Sequence, residues 1–361
     1  MDFEVRRADI RESRVVEHEP PPLEPGQVLL RIDAFALTAN NITYAVTGDA
    51  LKYWDFFPSS EPGVWGRVPV WGLADVSASA HDEVRPGARV YGYLPMSTHL
   101  VVAPGRVDPD GFVDVSPHRA ALPGAYNSYS RTDTDPAHDP AREDHRMILW
   151  PLFFTSFLID DFLDDHGFFG AQEVVISSAS SKTAIGTAFL LDQRDPVRVV
   201  GLTSPGNVAF VEGLGVYDRV VTYDDVGSLG ETHAAYVDIA GDAEVRAGVH
   251  RAYRDRLGHS MAVGATHWDG LPAAPVDLPG AAPTFFFAPD QIVKRTKEWG
   301  RTGLGDRVAE AWRRYVEFSD GWLDIRRSVG PEAVTTTYLE VVDGSVDPAV
   351  GHVLSLGPDQ S

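Results

Sequence analysis

Residues 173–191, EVVISSASSKTAIGTAFLL, decide the fold. The opening EVVI is a continuous apolar run of the kind a strand buried on both faces requires, and TAIGTAFLL continues with the apolar density of a buried helix. Between them, at residues 177–186 (SSASSKTAIG), small residues and one lysine sit where strand turns into helix. Reading towards the C terminus, the alternation continues as strand RVVGLT, helix NVAFVEGLG, strands RVVTYD and AAYVDIAG, helix DAEVRAGVHRAYRDRLG, and strands SMAVGAT and TFFFAP. Six buried strand candidates in about 120 residues, separated by helices or short connections, predict a doubly wound parallel sheet in an α/β domain. Towards the N terminus, PLFFTSFLIDDFLDDHGFFG places apolar residues at helical spacing and closes on a glycine, which sets the start of this domain at about residue 150.

The flanks read differently. FEVRRADI and VLLRIDAFAL alternate as strands do, with the proline-rich EPPPLEPGQ between them, and VRPGARVYGYL and THLVVAP repeat the style. Residues 1–149 are therefore expected to form a β-rich domain. After TFFFAP, a long amphipathic helical stretch gives way to AVTTTYLEVVDG and HVLSL, expected as edge strands. Residues 291–361 are too few for a core of their own and are expected to return to the first domain.

Composition narrows the partners. Fifty-two acidic against 31 basic residues give a formal charge of −21, which repels phosphate backbones and anionic lipid, so neither nucleic acid nor a membrane is expected as a partner. A local anion pocket around Lys182, Arg198, Arg295, Arg313 or Arg314 is still allowed. There is no cysteine, which excludes disulfides, thiolate catalysis and cysteine-held zinc or iron–sulfur centres. MDFEVRRADI lacks the apolar core of a signal peptide, so a cytoplasmic protein is expected.

A strand–turn–helix of this kind can face helix amides towards a cofactor pyrophosphate. Here the usual glycines are replaced, and Ser178, Ser180, Ser181, Lys182 and Thr183 would supply hydroxyl donors and one positive charge. Ser181-Lys182-Thr183 also matches the end of a phosphate-cradling P-loop, but that motif's glycines are missing. The second strand ends Gly201-Leu202-Thr203-Ser204, with no acid before Glu212 to bind a ribose 2′-hydroxyl and repel a 2′-phosphate. NADP(H) is therefore expected in preference to NAD(H), with Thr203, Ser204 and Asn207 on the 2′-phosphate. Gly241, Gly264 and Ala288, at the ends of neighbouring strands, are small enough to admit the nicotinamide side.

Nearly the whole chain resembles the medium-chain dehydrogenase/reductase superfamily. EPGQVLLRIDAFALTANNITYAVTG, VRPGARVYGYLPMSTHLVVAP, PLFFTSFLIDDFL, EVVISSASSKTAIGTAFLL and VVGLTSPGNVAFVEGLGVYDRVVTYDD carry the likeness by their order and spacing. The resemblance implies a GroES-like catalytic domain split around an inserted Rossmann domain spanning residues 150–290, and a homodimer. Ala36 to Asn40 and Trp71-Gly72-Leu73 stand where zinc-dependent members carry ligands, so the likeness is to the metal-free quinone oxidoreductase and enoyl reductase side, in a divergent branch with no metal site. It further implies NADPH-dependent reduction of an apolar carbonyl compound at an activated double bond, with Tyr44, Tyr53 and Asn41 as candidate catalytic residues. A phenol suits that work because it donates to a carbonyl without carrying charge at neutral pH. Trp54, Phe56, Phe57, Trp65 and Trp71 would wall the pocket or fill the core, and His267 and Trp268 follow the fifth strand. The same fold also admits a cofactor-assisted or non-redox transformation, or NADPH binding without turnover. The acid cluster Asp160, Asp161, Asp164 and Asp165 is expected to be a solvated helix face.

Overall fold

The computed structural model describes residues 1–195, 197–263 and 278–357. Two compact units form, one from Met1–Ile148 with Leu323–Ser361 and one from Leu149–Trp322. In chain order the first unit begins with β1 (Asp2–Arg6), β2 (Asp9–Val16), β3 (Val28–Leu37), α1 (Ala39–Val46), β4 (Trp65–Gly66), β5 (Pro69–Ser79), β6 (Arg89–Pro95), β7 (His99–Val102), β8 (Pro104–Asp108), β9 (Gly111–Asp114) and β10 (Ser128–Arg131). Helix α2 (Glu143–Asp165) leads into the second unit, which holds β11 (Glu173–Ile176), α3 (Lys182–Leu191), β12 (Arg198–Thr203), α4 (Val208–Gly213), β13 (Arg219–Thr222), β14 (Ala234–Asp238), α5 (Ala243–Tyr253), β15 (Leu257–Ala262), β16 (Pro283–Phe285) and α6 (Ala288–Ser319). The chain then closes the first unit with β17 (Asp324–Val329), α7 (Pro331–Val342) and β18 (Val350–Ser355).

The second unit has the predicted sheet. Its six strands run parallel in the order β13-β12-β11-β14-β15-β16, so the order reverses at β11 and leaves a crevice between β11 and β14 beyond their carboxyl ends. The first unit is β-rich: a nine-stranded sheet along β17-β18-β3-β5-β6-β10-β9-β8, with β7 also on β3, and a three-stranded sheet β2-β1-β4. The two units have the expected GroES-like and Rossmann folds. Among the described residues no helix is long and apolar enough to cross a membrane.

Three expectations are corrected. AVTTTYLEVVDG is helical, not an edge strand: Pro331 opens α7, and Val334, Thr337, Tyr338 and Val341 bury one helical face. That burial outweighs the strand preference of its β-branched residues. Tyr338 packs edge-on against Phe3 at 5.1 Å and donates to the carbonyl of Ile10 at 3.0 Å. HVLSL belongs to β18, which lies inside the large sheet, parallel to β17 and antiparallel to β3. Helix α6 stays in the second unit, where Trp312 and Tyr315 pack on Phe153 at 5.5 and 4.7 Å, so the chain returns at Leu323 and not at residue 291.

The acid cluster is a solvated face only at Asp164 and Asp165, which are exposed. Asp160 is buried and takes both bonds of the Arg194 fork at 2.7 Å, and Asp161 is buried against Arg295 Nε at 2.7 Å and Gln291. Two of the cations considered for an anion pocket are thereby assigned elsewhere: Arg295 to this seam, and Arg198 to Glu173 at 3.1 Å.

Candidate functional site

In the second unit the turn after β11 is held from three directions. Ser178 adopts a left-handed φ of 54°, and its N–H donates to the Tyr223 hydroxyl at 3.0 Å. Ala179 is buried, donates to the carbonyl of Leu202 at 2.9 Å and accepts from Tyr217 Oη at 2.9 Å. Gly201 on β12 faces it, and a Cβ there would lie 2.9 Å from that of Ala179, so this approach of turn to strand needs glycine on one side. Ser181 is the N-cap of α3, its Oγ accepting from the amide of Ala184 at 3.3 Å. Lys182 and Thr183 form the first turn of that helix, and the Lys182 carbonyl accepts from Tyr315 Oη at 3.4 Å.

At the end of β12 the hydroxyls are prepared as donors. Asn207 Nδ2 donates to Ser180 Oγ at 3.1 Å and to Ser204 Oγ at 3.2 Å. Both hydroxyls are thus used as acceptors, and neither O–H has an acceptor among the described residues. Thr203 is buried at the strand's last position.

Across the crevice, Asp238 ends β14 and is buried. Its Oδ1 accepts from Ser177 Oγ and from the Gly241 amide, each at 3.0 Å, and its Oδ2 from Arg246 Nε at 2.7 Å. Ser177 Oγ in turn accepts from the amides of Ile239 and Ala240 at 3.0 Å. One carboxylate therefore ties the end of β11 to the loop after β14, where Gly241 takes a φ of 69°. Asp238→Asn is expected to cost about 1.5–3 kcal/mol, the worth of a hydrogen bond to a charged group. Thermal unfolding reads this directly, and an unchanged melting temperature would remove Asp238 from this role.

In the first unit, α1 and the turn after it set phenols against β5 and β6. Tyr44 lies 4.5 Å from Tyr53, 5.6 Å from Tyr93 and 6.4 Å from Tyr126 between ring centroids, with Tyr126 also 6.0 Å from Trp71. Asn40 Nδ2 donates to the Tyr44 hydroxyl at 2.7 Å. Burial pushes Tyr44 well above the ordinary phenol range, with Tyr126 adding to the shift; burial and Tyr44 push Tyr53 up to about 12. The hydroxyls of Tyr91 and Tyr93 are buried without a hydrogen-bond partner among the described residues. Asn41 is committed differently: its Oδ1 accepts from the Thr38 amide at 2.7 Å and the Thr38 hydroxyl at 3.1 Å, and its Nδ2 donates to the Pro69 carbonyl at 3.0 Å. Among the described residues no three His, Asp or Glu side chains gather as a metal centre requires.

A family model described as a protein of unknown function, DUF2855, matches residues 35–347. The chain belongs to DUF2855. No curated protein matches this DUF2855 member by sequence. Its fold is found in solved structures. CurA from Vibrio vulnificus in complex with NADPH superposes with a TM-score of 0.63 at 12% identity, covering 96% of this chain and 95% of that one. The YhdH oxidoreductase from Salmonella enterica in complex with NADP gives 0.56 at 17% identity, covering 96% of each. The quinone oxidoreductase from Coxiella burnetii gives 0.54 at 13% identity, covering 99% of each.

Of the residues singled out in this DUF2855 member, Ser178, Ser180, Ser181, Lys182, Thr183, Thr203, Ser204, Asn207 and Gly241 fall on the crevice end of the β11, β12 and β14 strands. Ala288 opens α6 three residues past β16. Gly264, His267 and Trp268 lie outside the described residues. Trp54, Phe56 and Phe57 are core, whereas Tyr53 and Trp71 are only half-buried. Sequence reasoning missed Tyr93 and Tyr126, which carry no local signal, and Asp238, whose signal is an acid closing an apolar parallel strand.

Proposed function

We propose that this protein is an NADPH-dependent, metal-free oxidoreductase that reduces an apolar carbonyl compound at an activated, α,β-unsaturated double bond. The observation that carries the reading is the phenol cluster: Tyr44, Tyr53 and Tyr126 are held in their protonated form, beside the buried hydroxyls of Tyr91 and Tyr93, which have no hydrogen-bond partner among the described residues. Such a wall offers hydrogen bonds to a carbonyl.

The crevice of the second unit supports the cofactor. Ser180 and Ser204 suit the 2′-phosphate, with Asn207 orienting both hydroxyls and the buried Thr203 setting the strand end beside them. Ser178, Ser181, Lys182 and Thr183 suit the pyrophosphate at the mouth of α3, and Gly241 and Ala288 leave space for the nicotinamide side. When bound, NADPH supplies the hydride. Tyr53, the half-buried phenol, donates its proton towards the substrate oxygen, Tyr44 is fixed behind it by Asn40, and Asn41 holds α1 in place. The likeness to structures solved with NADPH or NADP adds to this reading. We further take the protein to be a cytoplasmic homodimer acting on a small molecule, without nucleic-acid or membrane partners.

NADPH oxidation measured across a panel of enones is the direct test; tight cofactor binding with no turnover on any acceptor would favour a sensor instead. NADPH is expected to bind at least about tenfold more tightly than NADH, roughly 1.4 kcal/mol. Equal affinities by calorimetry would withdraw Ser180 and Ser204 from the 2′-phosphate. Lys182→Ala is expected to weaken NADPH by about ten- to a hundredfold, the range of one charge-assisted bond, more so at low salt. An unchanged affinity would return Lys182 to the surface.

A further inference from the structure

Away from the crevice turn, the second unit has a cavity of about 130 Å³ bounded by Phe162 of α2, His259 and Met261 of β15, Phe286, and Phe287 and Asp290 at the head of α6. An apolar cavity of ~150 Å³ accepts a single benzene ring, so this volume suits one aromatic ring and little more.

The wall is not wholly apolar. His259 is only 9% exposed and stacks face to face on Phe169, with centroids 4.0 Å apart and planes 5° apart, and Phe169 stacks in turn on His166 at 5.1 Å. Its Nε2 is buried with no hydrogen-bond partner among the described residues. Neighbouring polar groups are already used: the Gln291 amide donates to Asp161, and the Thr284 hydroxyl donates to the Ser260 carbonyl at 3.3 Å. A buried polar atom without a partner costs free energy that a ligand donor recovers. Burial, with His166 adding to it, lowers the His259 pKa to about 4, so near neutrality the ring is uncharged and can accept. The Asp290 carboxylate on the rim is exposed and disfavours an anion.

We propose that this cavity binds a small uncharged aromatic alcohol, with a phenol ring among Phe162, Phe286 and Phe287 and its hydroxyl donating to His259. No residue of this site belongs to the proposed cofactor or phenol-cluster sites, so the inference stands or falls separately from the proposed reaction.

Titration of the full chain with phenol, toluene and benzoate, followed by ligand-observed NMR, tests it. Phenol is expected to bind about tenfold more tightly than toluene, as one hydrogen bond to a buried acceptor provides, and benzoate not to bind. His259→Phe should bring phenol down to the toluene affinity. Equal affinities in the parent, or a phenol preference that survives His259→Phe, would overturn the proposal. Circular dichroism checks that the variant is folded. If it is not, Phe287→Ala decides: Phe287 is 53% exposed and carries little core, and its truncation should weaken both neutral ligands, whereas unchanged binding rejects the site.

Discussion

Replacing Tyr44 and Tyr53 together by phenylalanine is expected to lower kcat on an enone by about 10²- to 10⁴-fold, the usual worth of a positioned proton donor. NADPH affinity should stay unchanged, because neither phenol lies in the unit proposed to hold the cofactor. Tyr53→Phe alone should account for most of the loss, since Tyr53 is the more accessible of the two and Tyr44 hydrogen-bonds within the protein through Asn40. Turnover that survives the double substitution would end the assignment. The pH dependence follows from the direction of the shift. A phenol raised to about 12 stays protonated throughout the neutral and mildly alkaline range, so kcat should show no tyrosine-derived fall below that pH. Stability behaves oppositely at the alkaline end. The unfolded phenol ionises near ~10 while folded Tyr53 does so near 12, so its contribution is intact at lower pH and is lost as pH rises through that window.

Arg119→Met is expected to destabilise the protein by about 3–5 kcal/mol, the cost of removing one partner of a buried ion pair. The guanidinium is fully buried and donates to Asn127 Oδ1 at 3.0 Å, Asp114 Oδ2 at 2.8 Å, Tyr129 Oη at 2.9 Å and the Tyr126 carbonyl at 2.7 Å, while lying 5.0 Å from the centre of the Phe57 ring. Without it, Asp114 keeps a buried charge and the backbone beneath Tyr126 loses its anchor. Lysine should rescue little, because four acceptors in different directions match a planar fork and not a point charge. Denaturant unfolding at neutral pH measures this, and a loss below about 1 kcal/mol, the scale of an exposed pair, would show that the network is not what holds this region. Pairing the change with Asp114→Asn should recover part of the loss, since it removes the stranded charge and keeps an oxygen for the amides of Ala103 and Ser116.

The parallel sheet was legible because its central strands β11, β12 and β14 carry buried apolar runs, a pattern that depends only on neighbours in sequence. Helix α7 was not, since the threonines and valines of AVTTTYLEVV favour strands locally, and only its packing on β1 and β2 decides otherwise. Asp160 and Asp161 resemble a solvated face because the arginines that neutralise them lie 34 and 134 residues away. The positions of the crevice hydroxyls followed from counting strand ends, whereas the role of Asn207 in orienting them did not. For Asn41, the Thr38-x-x-Asn41 spacing was a readable capping signal, overlooked because an asparagine beside a tyrosine also suits catalysis. Tyr93 and Tyr126 join Tyr44 through strand pairing and a distant loop, which no local pattern announces.

The placement of β18 has a consequence for the order in which the chain can fold during synthesis. Phe35, Ala36 and Leu37 of β3 pair with His352, Val353 and Leu354, so this stretch of the large sheet has no partner on that side until those residues, more than 300 positions later, have been made. The second unit is continuous in sequence and can close first. Until residues 350–355 arrive, an apolar strand edge is open to pairing with other chains, which exposes the nascent protein to aggregation until β18 leaves the ribosome.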